Sequence, residues 1–235
     1  MNFKKFESIN LTQIKSLLYF SSILSVMIIL LFSDSESKIR DTEFIVNNLA
    51  SFTKIPNTVT SVILGTRLFD TIGEVTVFTL AGLGVKILLS EEASESDFKG
   101  VKDSTIIQLL DFSAILCAFL SIELAIRGHL TPGGGFASGV AGATAITLLM
   151  ITGRMQKIEE IYFKFNVVAL EKFAVILFIF ISLLSFSSFL FSNYLINLIP
   201  QLIYIPMLNI ICALKVTLGT WSIIRLFILK RGLFT

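Results

Sequence analysis

The sequence predicts an all-α integral membrane protein with about six transmembrane helices, and three observations carry that prediction. Of its 235 residues, 54% are hydrophobic, and the mean hydropathy is +0.84. Only 15% are charged, where soluble domains carry about a quarter. The apolar residues are also gathered into runs of helix length. A transmembrane β-barrel would show segments of about ten residues with alternating polarity instead.

The six runs cover residues 17–32, 69–89, 106–126, 136–152, 168–191 and 207–229. The first is short, but no small-residue cleavage pattern follows Phe32, so it reads as a retained helix rather than a signal peptide. Residues 33–66 form the longest outer connection and have room for an interfacial helix. The polar stretch SEEASESDFKGVKDST (90–105) is the best internal boundary. It leaves two spans in residues 1–100 and four in residues 101–235. Between the last two spans, residues 192–206 carry no charge. Tyr194 and Tyr204 suit the membrane interface there, and Pro200 and Pro206 are expected to interrupt the helix.

Orientation follows from the cations. Lys4, Lys5, Lys15, Lys86, Lys99, Lys102, Arg154, Lys157, Lys164, Lys172, Arg225, Lys230 and Arg231 fall on one side, against Lys38, Arg40, Lys54, Arg67 and Arg127 on the other. The richer side is cytoplasmic by the positive-inside rule, so both termini are predicted inside the cell. A net charge of +2 gives no nucleic-acid footprint. Cys117 and Cys212 both lie in apolar runs, and a single histidine supports no conventional metal cluster. No nucleophile–base pair or redox ligand set is visible, which argues against an enzyme.

Ionisable residues inside a membrane are costly and are functional candidates by default. In RLFDTIGEV (67–75), Arg67, Asp70 and Glu74 share one helix face at i, i+3 and i+7. Glu74 lies about 10 Å into its span at 1.5 Å per residue, so its carboxylate must pair, find water or take up a proton. Lys215, in NIICALKVTLGTW, falls near the middle of the last span, too deep to snorkel. The third span carries Asp111 near its inner end and Glu123 near its outer end, with Glu123 in i, i+4 relation to Arg127. By depth these residues form a ladder: Asp111 inside, Lys215 central, Glu74 further out, and Glu123 and His129 outermost. Such a ladder is one way for protons or cations to cross hydrocarbon. The alternative is a set of ion pairs that only fixes helix packing.

The stretch RGHLTPGGGFASG (127–139) separates the third and fourth spans. No strand precedes it and no Gly-Lys-Ser/Thr follows, so it is not a phosphate loop. Pro132 stops the third helix, and Gly133, Gly134 and Gly135 permit backbone angles closed to other residues. From Gly135 onward the pairs Gly135/Gly139, Ser138/Gly142 and Gly139/Ala143 allow close approach to a neighbouring helix. A bare hairpin would explain the tract. So would an aqueous entrance carrying His129, whose imidazole suits proton exchange at physiological pH.

GHLTPGGGFASGVAGA resembles the signature of the B subunit of multisubunit Na+/H+ antiporters of the Mrp (Mnh) type. Gly128, His129, Pro132, Gly133, Gly134, Gly135 and Phe136 fill that signature, and Lys215 in ALKVTLG looks like the family's last helix. Ala137 and Ser138 stand where relatives usually carry glycine or a bulky apolar residue. RLFDTIGEVTVFTLAGLGV is similar to a motif near the C-terminal end of the large A subunit, matched by Asp70, Thr71, Gly73 and Glu74. In membrane-bound hydrogenase complexes that segment is a separate small subunit. The chain therefore looks like a fusion, with residues 1–100 of the A-tail type and 101–235 of the B type. The resemblance implies a cell-membrane subunit of a hetero-oligomeric complex that exchanges Na+ for H+, with no cofactor or metal of its own. Its partners would be the other subunits, the lipid bilayer and the two ions. The rival reading is a pure assembly subunit of such a complex, or of a hydrogenase-type relative.

Overall fold

In the computed structural model, the described residues are 54–92, 100–190 and 201–231, with isolated helical positions at 20–21, 24–25, 28, 44–48 and 51. The chain divides into two units, Met1–Ile45 and Val46–Thr235; all that follows concerns the second. The expected first span, 17–32, lies mostly outside the described residues. Among those residues, five helices are long and apolar enough to cross a membrane. The protein is an all-α, multi-pass membrane protein.

The second unit begins with a single turn, α1 (Thr58–Ser61), followed by a π-helical turn over Val62–Thr66 and then α2 (Leu68–Leu88). Leu68, Thr71 and Val75 are the buried residues of α2, spaced i, i+3 and i+7 on one face. Asp103 caps α3 (Ser104–Arg127), its Oδ1 accepting from the amides of Thr105 (2.8 Å) and Ile106 (3.4 Å). Large apolar side chains of α3, among them Phe112, Ile115 and Phe119, point outward. In water such a surface would aggregate; in a membrane it faces hydrocarbon or neighbouring chains.

The fourth helix, α4 (Gly135–Leu149), packs against both α3 and the last helix. A π-helical turn over Met150–Arg154, with Gly153 at φ 85°, passes it into α5 (Met155–Lys164). Met155, Ile158 and Tyr162 form the buried stripe of α5. The bundle closes with α6 (Val167–Leu190) and α7 (Gln201–Arg231). The span within α7 is half buried (50%), against 6% for α3, so α7 is the central helix and α3 a peripheral one. Pro206 does not interrupt the last helix as the sequence suggested: α7 starts at Gln201 and runs through it. So near the start of a helix, the missing N–H removes one hydrogen bond, from the carbonyl four residues back.

Close contact between α3, α4 and α7 depends on small residues. A Cβ on Gly142 would lie 2.7 Å from Ser121 Oγ and 2.8 Å from Thr217 Oγ1. Gly142→Leu should therefore lower stability by at least about 1–3 kcal/mol through overpacking. The check is the apparent melting midpoint of the purified complex in detergent.

Candidate functional site

The break between α3 and α4 exposes backbone carbonyls that a membrane does not tolerate unsatisfied. Two asparagines from other helices supply the donors. Asn57 Nδ2 donates to the carbonyls of Gly128 (2.9 Å) and Thr131 (2.7 Å), and its backbone N–H to that of His129 (3.3 Å). The same side chain caps α1, its Oδ1 accepting from Val59 (3.1 Å) and Thr60 (3.3 Å). Thr60 Oγ1 donates to Gly128 O (2.7 Å). From α7, Asn209 Nδ2 donates to Leu124 O (3.2 Å) and Ala125 O (2.7 Å), the last-turn carbonyls of α3. Gly134, at φ 89°, turns the chain in a region side chains rarely adopt. At Gly135 a Cβ would meet Asn209 O at 2.5 Å, so only glycine lets α4 start against α7.

This turn walls a cavity of about 470 Å³. Glu74 from α2, Pro132, Gly133, Gly134 and Gly135 from the break, and Asn209 and Cys212 from α7 all line it. The structure thus brings Glu74 to the glycine tract. A second cavity, of about 710 Å³, lies between α2, α6 and α7 and is lined by Gly82, Lys86, Glu171, Lys172 and Gly219 among others.

Lys215 stands between the two. On α7 it follows Cys212, of the first cavity, by three residues and precedes Gly219, of the second, by four. On α2 the positions Glu74, Phe78 and Gly82 repeat the same passage at intervals of four. Lys215 is fully buried. Its Nζ lies 3.8 Å from Glu171 Oε1 and 3.7 Å from the centroid of the Phe78 ring, a cation–π contact. Among the described residues Nζ has no hydrogen-bond partner. Gly219 makes room for both contacts, because a Cβ there would sit 2.6 Å from Phe78 and 2.8 Å from Glu171 Oε1.

The other candidates lie elsewhere. Asp70 pairs with Arg67 at 2.5 Å, both half-exposed or more. Glu123 pairs with Arg127 at 3.3 Å on the exposed side of α3. Asp111 holds Arg154 at 2.6 Å, tying α3 to the π-helical turn. His129 is partly buried, with no partner for Nδ1 among the described residues, and lines neither cavity. Three of the five ladder positions are therefore in local pairs or on other faces. Among the described residues no three His, Cys, Asp or Glu side chains converge as metal ligands.

Sequence reasoning missed Glu171. It opens an apolar run beside Lys172 and so looks like an interfacial charge pair; only helix packing turns it toward Lys215. Asn57, Asn209 and Phe78 carried no signal of their own.

Residues 105–222 match the family model described as a domain related to the MnhB subunit of Na+/H+ antiporters. The chain belongs to this MnhB-related family. An uncharacterised protein of Methanocaldococcus jannaschii is 35% identical over 115 residues, covering 41% of this chain and 44% of that protein. The chain thus spans less than half the length of that curated relative. In the solved structure of the membrane-bound sulfane sulfur reductase, an archaeal respiratory membrane complex, one chain superposes with a TM-score of 0.64 at 23% identity. That match covers 93% of this chain and 99% of the other, so the two share a fold. Within the MnhB-related region, the glycine break, Glu171 and Lys215 all fall inside the matched residues, while Glu74 and Phe78 precede them.

Proposed function

We propose that this chain is a membrane subunit of a multisubunit Na+/H+ antiporter-type complex and carries part of its ion path. In this reading residues 1–100 are the A-tail-like part, residues 101–235 the B-like part, and both termini are cytoplasmic. Glu74 is the exchanging carboxylate at the first cavity, Lys215 the relay, and Glu171 the carboxylate that balances it. His129 is the outer entrance group, with Asp70 on the path and Glu123 in a supporting role.

One observation carries the reading: Lys215 is fully buried between two cavities with an ion pair but, among the described residues, no hydrogen bond. A buried pair stabilises a fold only when its geometry is excellent and its remaining donors are satisfied. At 3.8 Å, with the ammonium against the Phe78 ring but without a hydrogen-bond acceptor among the described residues, this pair meets neither condition, which favours transfer over scaffolding. The family model supports the class of complex, and its description is the reason for proposing Na+ as the coupled ion.

The first test leaves Lys215 in place. In vesicles from cells expressing the whole complex, Glu74→Gln should lower Na+-dependent proton flux by about a hundredfold, the scale of losing a proton-transferring group. The complex should still be recovered intact, because Glu74 is exposed at the cavity and holds no ion pair among the described residues. Unchanged flux in an intact complex would remove Glu74 from the path.

A further inference from the structure

The second cavity has the form of an amphiphile seat. Its rim includes Leu83 and Ile176, which are 52% and 65% exposed on the outer surfaces of α2 and α6. Both belong to membrane-crossing helices, so the cavity opens sideways, at bilayer depth. Val175 and Ile223 continue the apolar lining inward. At one end stand Lys86, two residues before the end of α2, and Lys172, near the start of α6. Below the two lysines the lining runs about 6 Å along α6, from Lys172 to Ile176, and about 10 Å along α2, from Lys86 back to Thr79, a good part of the roughly 15 Å half-thickness of a hydrocarbon core.

The charges at this end are unevenly matched. Glu171 faces Lys215, and Arg225 is held by Glu159 through Nε at 2.7 Å. Lys86 and Lys172 are exposed and form no ion pair among the described residues. Glu171 also lies within Coulombic range of both, so one carboxylate, already facing Lys215, is shared among three ammonium groups, and the end stays net positive. Two exposed ammonium groups beside an apolar, laterally open cleft complement one ligand class: a headgroup carrying negative charge on an acyl chain. Basic pockets between transmembrane helices recruit anionic lipids in this way.

We infer that this cavity is a binding site for an anionic phospholipid, with its phosphate between Lys86 and Lys172 and an acyl chain along Leu83, Val175, Ile176 and Ile223. The lipid closes the side of the cavity against hydrocarbon. The site stands on charge and shape and does not depend on ions crossing the subunit.

The test titrates the purified, delipidated complex with phosphatidylglycerol and with phosphatidylcholine, reading bound lipid by native mass spectrometry. Phosphatidylglycerol should bind more tightly. Lys86→Gln and Lys172→Gln should each weaken it about fivefold, and the pair about thirtyfold. Lys86→Arg/Lys172→Arg should retain binding, which separates charge loss from misfolding. Inorganic phosphate alone should compete poorly, because it lacks the chain. Equal affinity for the two lipids, or an unaffected Gln pair, would overturn the proposal. So would a photoreactive residue at position 83 that crosslinks to protein instead of lipid, since another chain or another part of this one would then fill the cleft.

Discussion

Lys215→Met should abolish Na+-dependent proton flux, by about a hundredfold or more, because it removes the buried ammonium that stands between the two cavities. The single change also strands Glu171. Removing one partner of a buried pair costs roughly 3–5 kcal/mol, here toward the lower end because Glu171 is 19% exposed and reaches some water. Recovery of the complex should therefore fall as well, which by itself would not separate a relay from a docking charge. The double variant Lys215→Met/Glu171→Gln does separate them. It leaves no uncompensated charge, so assembly should return toward the wild-type level while flux stays lost. If the double variant restores flux along with assembly, the pair is scaffolding and the ions travel elsewhere.

Asn57→Ala should give a loss of stability of similar size. One amide side chain here satisfies four backbone groups: the N–H groups of Val59 and Thr60, and the carbonyls of Gly128 and Thr131. A buried group left unsatisfied costs about 1–3 kcal/mol, and Thr60 Oγ1 still covers Gly128 O. The expected cost is about 3 kcal/mol or more, equivalent to a fall of roughly 6–12 °C in the melting midpoint of a chain of this size. The fall is measured on the purified complex in detergent, and Asn57→Asp is the informative companion. It keeps the cap of α1 but cannot donate to the carbonyls, so it should recover only part of the loss. A full recovery would show that the cap alone mattered.

These two predictions concern different parts of what was legible beforehand. The membrane class, the spans from residue 69 onward and the odd chemistry of the glycine tract could be read from the chain, because hydropathy and backbone permissiveness are local properties. Lys215 was legible for a related reason: a cation in the middle of an apolar run conflicts with its surroundings wherever the helices go. Its partner was not legible, because Glu171 sits at the edge of its run beside Lys172, where a charge costs little. Depth places Asp111, Glu123 and Glu74 in order, but it is silent on azimuth. Glu123 keeps the i, i+4 pair with Arg127 that its spacing suggests, while packing sets Asp111 against Arg154 and Glu74 at the first cavity.

The sequence by itself therefore determined that this protein spans a membrane as helices, where its helix break falls, and which charge is too deep to be ordinary. Each follows from the transfer cost of residues along one run of chain. The tertiary structure alone decided that Glu74 meets the glycine turn, that two asparagines cover its carbonyls, and that Lys215 lies against Glu171 and Phe78 between two cavities. Those outcomes depend on how far each helix is rotated about its axis, which the small residues of α4 and Gly219 of α7 fix only when the helices come together.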